Sequence, residues 1–143
     1  YLAAYSNVRQ LSFGMSDMAW HTLKQPFAAE VEPFEREAMA SVQVTPTVEG
    51  TSMAPAFTHI FSGGYAAGYY SYKWSEIMSA DAYGAFEEAG LDDDEAVKSV
   101  GQKLRETIYG LGGSKSAYEV FIQFRGRKSD VKALLRQQGL IKV

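Results

Sequence analysis

An all-α fold is what this 143-residue sequence predicts. Three observations carry that expectation. Apolar residues recur at helical spacing in the first part of the chain, helix-start signatures come in series through its second half, and glycines follow where those helices should stop. The first helix is expected over 6 to about 24, where Val8, Leu11, Met15, Met18 and Leu23 recur near helical spacing and Pro26 limits the run from behind. A shorter helix is expected over 33–40, with Pro33 at home in its first turn. The stretch "SVQVTPTVEGTSMAPAF" alternates but carries Pro46, Gly50 and Pro55, so it reads as an extended connection holding at most a brief β-like piece. Beyond the Gly63-Gly64 break, a tyrosine-rich helix is expected over 65–79 and a second helical piece over 81–88, stopped by Gly90. Asp92 and Glu95 have capping-box-like spacing before a helix that reaches Tyr109 and ends at "GLGGS". Ser116 and Glu119 make the capping box of the next helix, which ends before Gly126. Ser129 or Asp130 caps the last one, which stops near Gly139. There is no internal repeat and no low-complexity segment, and we expect one helical domain over 1–143.

Composition narrows the function classes. A net charge of -3 gives no reason to expect nucleic acid or an anionic membrane as partner. No apolar run approaches the roughly 20 residues that a spanning helix needs. With no cysteine, disulfides and thiolate metal sites are excluded. The start, "YLAAYSNVRQL", lacks both the pattern of a signal peptide and an initiator methionine, so a piece of something longer is expected.

One stretch stands apart. "HIFSGGYAAGYYSY" puts a histidine, three glycines and four tyrosines into fourteen residues, His59 to Tyr72. Each phenol that is buried must find a hydrogen-bond partner, which makes this many an expensive way to build a core. Tyr65, Tyr69 and Tyr72 follow helical spacing as one stripe, and Tyr70, Trp74 and Ile77 as another. One stripe can be core while the other lines a groove, and aromatic packing alone is the commoner use of such a pattern. Small residues at Ala66, Ala67 and Gly68 leave a thin side where another backbone can approach, and Gly63-Gly64 frees the preceding loop. His59 and His21 are isolated, in no H-x-x-x-H or H-E-x-x-H setting. His21, beside Trp20, reads as structural, and His59 as the better substrate contact. "LDDDE" lacks the alternating ligands of a calcium loop, and "FRGRK" carries three charges at a helix end, as the helix dipole favours. No nucleophile elbow, phosphate loop or dinucleotide fingerprint is present.

The stretch "HIFSGGYAAGYYSYKWSEIMSADAYGAFEE" resembles the C-terminal signature of the thimet oligopeptidase family of zinc metallopeptidases, in its oligopeptidase A and dipeptidyl carboxypeptidase branch. The resemblance continues through "VGQKLRETIYGLGGSKSAYEVFIQFRGRKSDVKALLRQQGL" and reaches back to "VRQLSFGMSDMAWH", covering essentially the whole chain. It implies a helical C-terminal subdomain of a zincin-type oligopeptidase. The family's H-E-x-x-H helix and later zinc-ligating glutamate do not occur here. The resemblance therefore implies zinc in the parent enzyme, held by a missing upstream catalytic segment, and no metal bound by this chain.

By motif position, the resemblance also implies roles. Tyr72 would donate its hydroxyl to the oxyanion of the tetrahedral intermediate, and Tyr65 would assist it or hold the peptide backbone. His59 would contact substrate near the scissile bond, with Gly63 and Gly64 letting the loop close over peptides and Tyr69 beside them on the substrate side. Short peptides are the implied substrates and the cytoplasm the implied compartment. Alone, the chain should be inactive, and apolar faces exposed by the missing segment should invite dimerisation. A second class is a non-catalytic helical module that binds peptides, and a third a structural bundle whose tyrosines are all core.

Overall fold

The computed structural model describes residues 2–142, which form seven α-helices, short 3-10 turns and no strand. They fall into two compact units that divide between Lys73 and Trp74. No described helix is long and apolar enough to cross a membrane.

The first unit is built on α1 (Ala3–His21) and α2 (Val31–Met39), joined through Pro26 and ending in a 3-10 turn at Ala40–Val42. The face that α1 buries is small and polar: Ser12, Ser16 and Asp17. Leu11, Met15 and Met18, whose spacing marks the helix in the sequence, remain 45%, 38% and 39% exposed. Period identifies a stripe; it does not say which side will be covered. What α1 packs with instead are rings. Trp20, Phe27 and Phe34 form one cluster, with centroids 4.8, 4.4 and 4.9 Å apart. Phe13, Phe57 and Tyr69 form another, at 5.3, 5.8 and 5.3 Å. Each such pair adds about 0.5–1.5 kcal/mol beyond its buried area.

The connection after α2 is extended, as expected, and a buried carboxylate anchors it. Glu35 accepts the backbone N–H groups of Met53 at 2.8 Å and Ala54 at 2.6 Å, together with the Ser52 hydroxyl. That anchor fixes where the 3-10 turn Ala54–Ala56 and the one-turn α3 (Thr58–Phe61) begin, and Ile60 of α3 is wholly buried. From there the chain departs from the expected pattern. Residues 65–70 form turns, and α4 runs without a break over Ser71–Ala89. The two helical pieces expected over 65–79 and 81–88 are thus one helix that starts later.

The second unit holds the rest of α4 with α5 (Asp94–Leu104), α6 (Ala117–Arg125) and α7 (Val131–Gln137). Asp93, one residue after the expected cap, accepts the Ala96 N–H at 3.0 Å. The helix reaches Tyr109 by widening into a π-turn at Arg105–Tyr109. The capping box is complete, Glu119 N–H to Ser116 Oγ at 3.3 Å and Ser116 N–H to Glu119 Oε2 at 3.1 Å. Gly126, at φ 74°, ends α6 in the left-handed conformation that glycine adopts without cost. Val120, Phe121 and Phe124 of α6 are buried, and Ala80, Ala133 and Leu134 pack together with Ile77.

At the polar centre of this unit lies Asp81, wholly buried. It accepts Arg125 Nε at 3.1 Å, two Arg127 nitrogens at 2.7 Å and the Asp130 N–H at 2.7 Å. Arg125 reaches on to Glu88 at 2.9 and 2.6 Å. The arginines of "FRGRK" therefore serve this carboxylate, which is more than the helix dipole alone asks of them.

Candidate active site

His59 stands at the second position of α3, and the chain returns past it at once. The N–H groups of Ser62 and Gly63 both bond the Thr58 carbonyl, at 2.7 and 2.9 Å, while Tyr65 N–H bonds the His59 carbonyl at 3.4 Å. This return is so tight that a Cβ on Gly63 would lie 2.7 Å from the His59 carbonyl oxygen and 2.8 Å from its Cα. Gly64 has open space around it but a φ of +83°. The two glycines therefore meet different demands, close approach at 63 and a left-handed backbone at 64. Gly63→Ala is expected to destabilise the first unit by about 1–3 kcal/mol through forced backbone shift. Chemical denaturation followed by Trp20 fluorescence in a Trp74→Phe background measures it.

The tyrosines arrive by the turn at 65–70. Gly68 N–H bonds the Tyr65 carbonyl at 2.9 Å, and Ala67 takes a left-handed φ of 52°, unusual for a residue with a Cβ. From the neighbouring α1, Asp17 enters this turn. Its Oδ1 accepts the Ala67 N–H and its Oδ2 the Tyr69 N–H, both at 2.9 Å. Asp17 itself is wholly buried, and His21 Nδ1 lies 2.8 Å from both its Oδ1 and its carbonyl oxygen. This explains the small residues at 66–68: the approaching group is a carboxylate that takes up the turn's amides. It also explains why the turn is not a helix, since those amides are held by Asp17.

The outcome is an aromatic cluster around one histidine. The His59 and Tyr65 rings are parallel, with centroids 4.4 Å apart. Tyr72, in the first turn of α4, lies 5.2 Å from the Tyr65 ring and 5.2 Å from that of Tyr69. His59 Nε2 and the Tyr72 hydroxyl share a hydrogen bond of 2.8 Å, whose direction follows the histidine tautomer. His59 and Tyr72 are exposed, and Tyr65 and Tyr69 half-buried. The hydroxyl of Tyr69 bonds Gln10 Oε1 at 2.9 Å, so this side chain is braced against α1. Tyr70 has no ring contact with the cluster; it lines an apolar hollow of about 470 Å³ with Leu11, Met15 and Met18, and Tyr69 and Tyr72 border the same hollow.

The electrostatics favour a donor at Tyr72. A hydrogen bond with Tyr65, loss of solvent, and the nearby Tyr65 and Tyr69 phenols together push its hydroxyl up to about 12. It therefore keeps its proton at any physiological pH and can give a hydrogen bond to developing negative charge. Among the described residues, no group of three or more His, Cys, Asp or Glu side chains comes together that could hold a metal ion.

All six residues singled out by motif thus meet around one cluster: His59, Tyr65 and Tyr72 by ring contact, with Gly63 and Gly64 between His59 and Tyr65 in the chain. Tyr69 joins by its ring while its hydroxyl turns away. Asp17 went unnoticed in the sequence. Its only local signal is the i, i+4 spacing to His21, since the amides it serves are some fifty residues away in the chain.

The profile of peptidase family M3 matches residues 1–140. The chain is 46% identical over 142 residues to a protein named probable cytosolic oligopeptidase A from Arabidopsis thaliana, covering 99% of this chain and 20% of that protein. It is also 46% identical to the organellar oligopeptidase A of chloroplasts and mitochondria from the same plant, covering 99% of this chain and 18% of that one. To a dipeptidyl carboxypeptidase of Salmonella typhimurium it is 33% identical, over 95% and 20% of the two chains. The chain spans about a fifth of the length of these relatives. By the match across nearly all its residues, this chain belongs to peptidase family M3.

Proposed function

We propose that residues 1–143 are the C-terminal part of the catalytic domain of a zinc-dependent oligopeptidase that hydrolyses short peptides. The observation that carries this is the His59–Tyr65–Tyr72 cluster: one imidazole and two phenols in contact, with a phenol held firmly protonated. In this proposal Tyr72 donates to the oxyanion formed when the scissile carbonyl is attacked. Tyr65, stacked on His59, supports it or holds the peptide backbone. His59 contacts substrate beside the scissile bond, and Tyr69 offers its ring as a floor fixed by Gln10. Gly63 and Gly64 shape the loop that closes over the peptide.

The zinc is proposed to sit on residues outside this chain. Support for that assignment comes from family membership and from the fifth of a relative's length that the chain spans. The same reasoning assigns the exposed stripe Leu11, Met15 and Met18 to packing against the remainder of the enzyme. In the isolated chain that stripe would favour dimerisation. The cytoplasm is the proposed compartment, after the cytosolic relative, and cell fractionation against the organellar alternative tests it.

The test of function uses the full-length enzyme and a short fluorogenic peptide. His59→Ala is expected to raise KM about tenfold, the worth of one hydrogen bond to substrate. Unchanged KM and kcat would remove His59 from the site. A protein that binds the peptide through Tyr65 and Tyr72 and never cleaves it would be the non-catalytic binding module instead.

A further inference from the structure

We propose that Asp17 is the positioning residue of this site: through the amides of Ala67 and Tyr69, its carboxylate sets where Tyr65 and Tyr72 stand relative to His59. The inference rests on the functional reading above for the meaning of the site, and on geometry for everything else. A wholly buried carboxylate is costly unless its oxygens are hydrogen-bonded. Here each oxygen takes one amide of the same turn at 2.9 Å, and His21 Nδ1 lies 2.8 Å from Oδ1. The two amides lie on alternate residues, 67 and 69, either side of the small Gly68. Holding both offsets the unfavourable left-handed φ of 52° at Ala67, a conformation that L-residues rarely adopt.

The clamp is placed between the side chains that matter. Tyr65 precedes it by two residues, Tyr69 carries one of the two amides, and Tyr72 follows in the first turn of α4. A negative group just ahead of Ser71 also complements the N-terminal end of α4, adding to the preference for charge over a neutral amide there. Asp17 touches neither substrate nor the reacting groups in this scheme. It acts through the backbone, and α1 becomes the ruler against which the tyrosines are measured, a second mark being Gln10 on the Tyr69 hydroxyl.

Asn is the discriminating substitution. It fills the same volume, but one of its two terminal atoms is a donor, so either the Ala67 or the Tyr69 amide loses its acceptor. In the full-length enzyme, Asp17→Asn is expected to lower kcat about 10- to 100-fold with KM within about threefold, the pattern of a displaced catalytic group. In a Tyr72→Phe background the same substitution should add little further, because the two act on one interaction. A folded Asp17→Asn enzyme with wild-type kcat, or full additivity with Tyr72→Phe, would overturn the proposal. If the variant does not fold, hydrogen exchange on the wild-type enzyme decides. The Ala67 and Tyr69 amides should be protected although they lie in a turn, and exchange as fast as a free loop would overturn the clamp. Protected amides in an enzyme whose kcat is indifferent to Tyr72→Phe would uphold the clamp and refute only the functional reading.

Discussion

In the full-length peptidase, Tyr72→Phe is expected to lower kcat by about 10²–10³ while KM stays within a few fold, the loss typical of one oxyanion donor. The substitution is clean. Phenylalanine keeps the ring that packs 5.2 Å from Tyr65, 5.2 Å from Tyr69 and 5.8 Å from His59, and removes only the hydroxyl. In the structure that hydroxyl is engaged with His59 Nε2 at 2.8 Å. During reaction it would exchange that partner for the oxyanion, so the bond is worth more in the transition state than before it, and its loss falls on kcat. The pH profile offers a second check. With its proton held up to about 12, Tyr72 adds no alkaline limb to kcat over the range where an ordinary phenol near pKa ~10 would begin to ionise. An alkaline limb near ~10 that vanishes in the Phe variant would put the Tyr72 proton back at its ordinary value, whereas an unchanged kcat would contradict the donor role.

How much of this could be read from the sequence depends on how local each cause is. The Ser116–Glu119 capping box, the Asp130 cap on Lys132 N–H at 2.9 Å, and the stops at Gly90, Gly126 and Gly139 appear where their residues predict. Each acts within four residues of itself, so a sequence contains the whole cause. The turn at 65–70 does not work that way. Its i, i+4, i+7 tyrosines fit a helix as well as any segment in the chain, and what decides against the helix is a carboxylate on α1. Likewise the stripe on α1 is visible by period, but α1 is covered instead at Phe13 and Trp20, by rings at Phe27, Phe34 and Phe57 that come from elsewhere. The site shows the same division. Its residues could be picked out by type and spacing beside a known family pattern, because hydroxyls and imidazoles are placed there for chemistry. Tyr69's bond to Gln10 and the clamp of Asp17 could not, because both are long-range answers to the question of where the backbone's and phenols' hydrogen bonds go.

Asp17 has a counterpart in the second unit, and there the expected effect is on stability. Asp81→Ala should destabilise that unit by about 3–5 kcal/mol, the cost of breaking a buried charge cluster from one side. The Arg125 side chain is only 4% exposed, and Arg127 and the Asp130 amide lose their common acceptor at the same time. Glu88 still pairs with Arg125 from its exposed side, which keeps the loss from being larger. Urea unfolding followed by Trp74 fluorescence, with Trp20 replaced by phenylalanine, isolates the second unit; a loss below about 1 kcal/mol, the worth of an exposed pair, would show the cluster to be ornamental. The pH dependence has a definite sign. Burial pushes the Asp81 carboxyl up, but hydrogen bonds from Arg127 and the Asp130 amide and the charges of both arginines outweigh it, leaving the group below its ordinary value. The Arg125 guanidinium likewise holds Glu88 below the usual carboxylate range. A carboxylate depressed by folding contributes stability above its unfolded value near ~4 and loses it as pH falls through the folded one. The second unit should therefore weaken in acid below about pH 4, and Asp81→Asn should flatten that fall because the group that takes up the proton is gone. Equal acid sensitivity in the Asn variant would place the titrating group elsewhere. The same residue type thus holds each unit from inside: Asp17 by taking amides from a turn that presents side chains outward, Asp81 by gathering two arginines and an amide so that α4, α6 and α7 stay together.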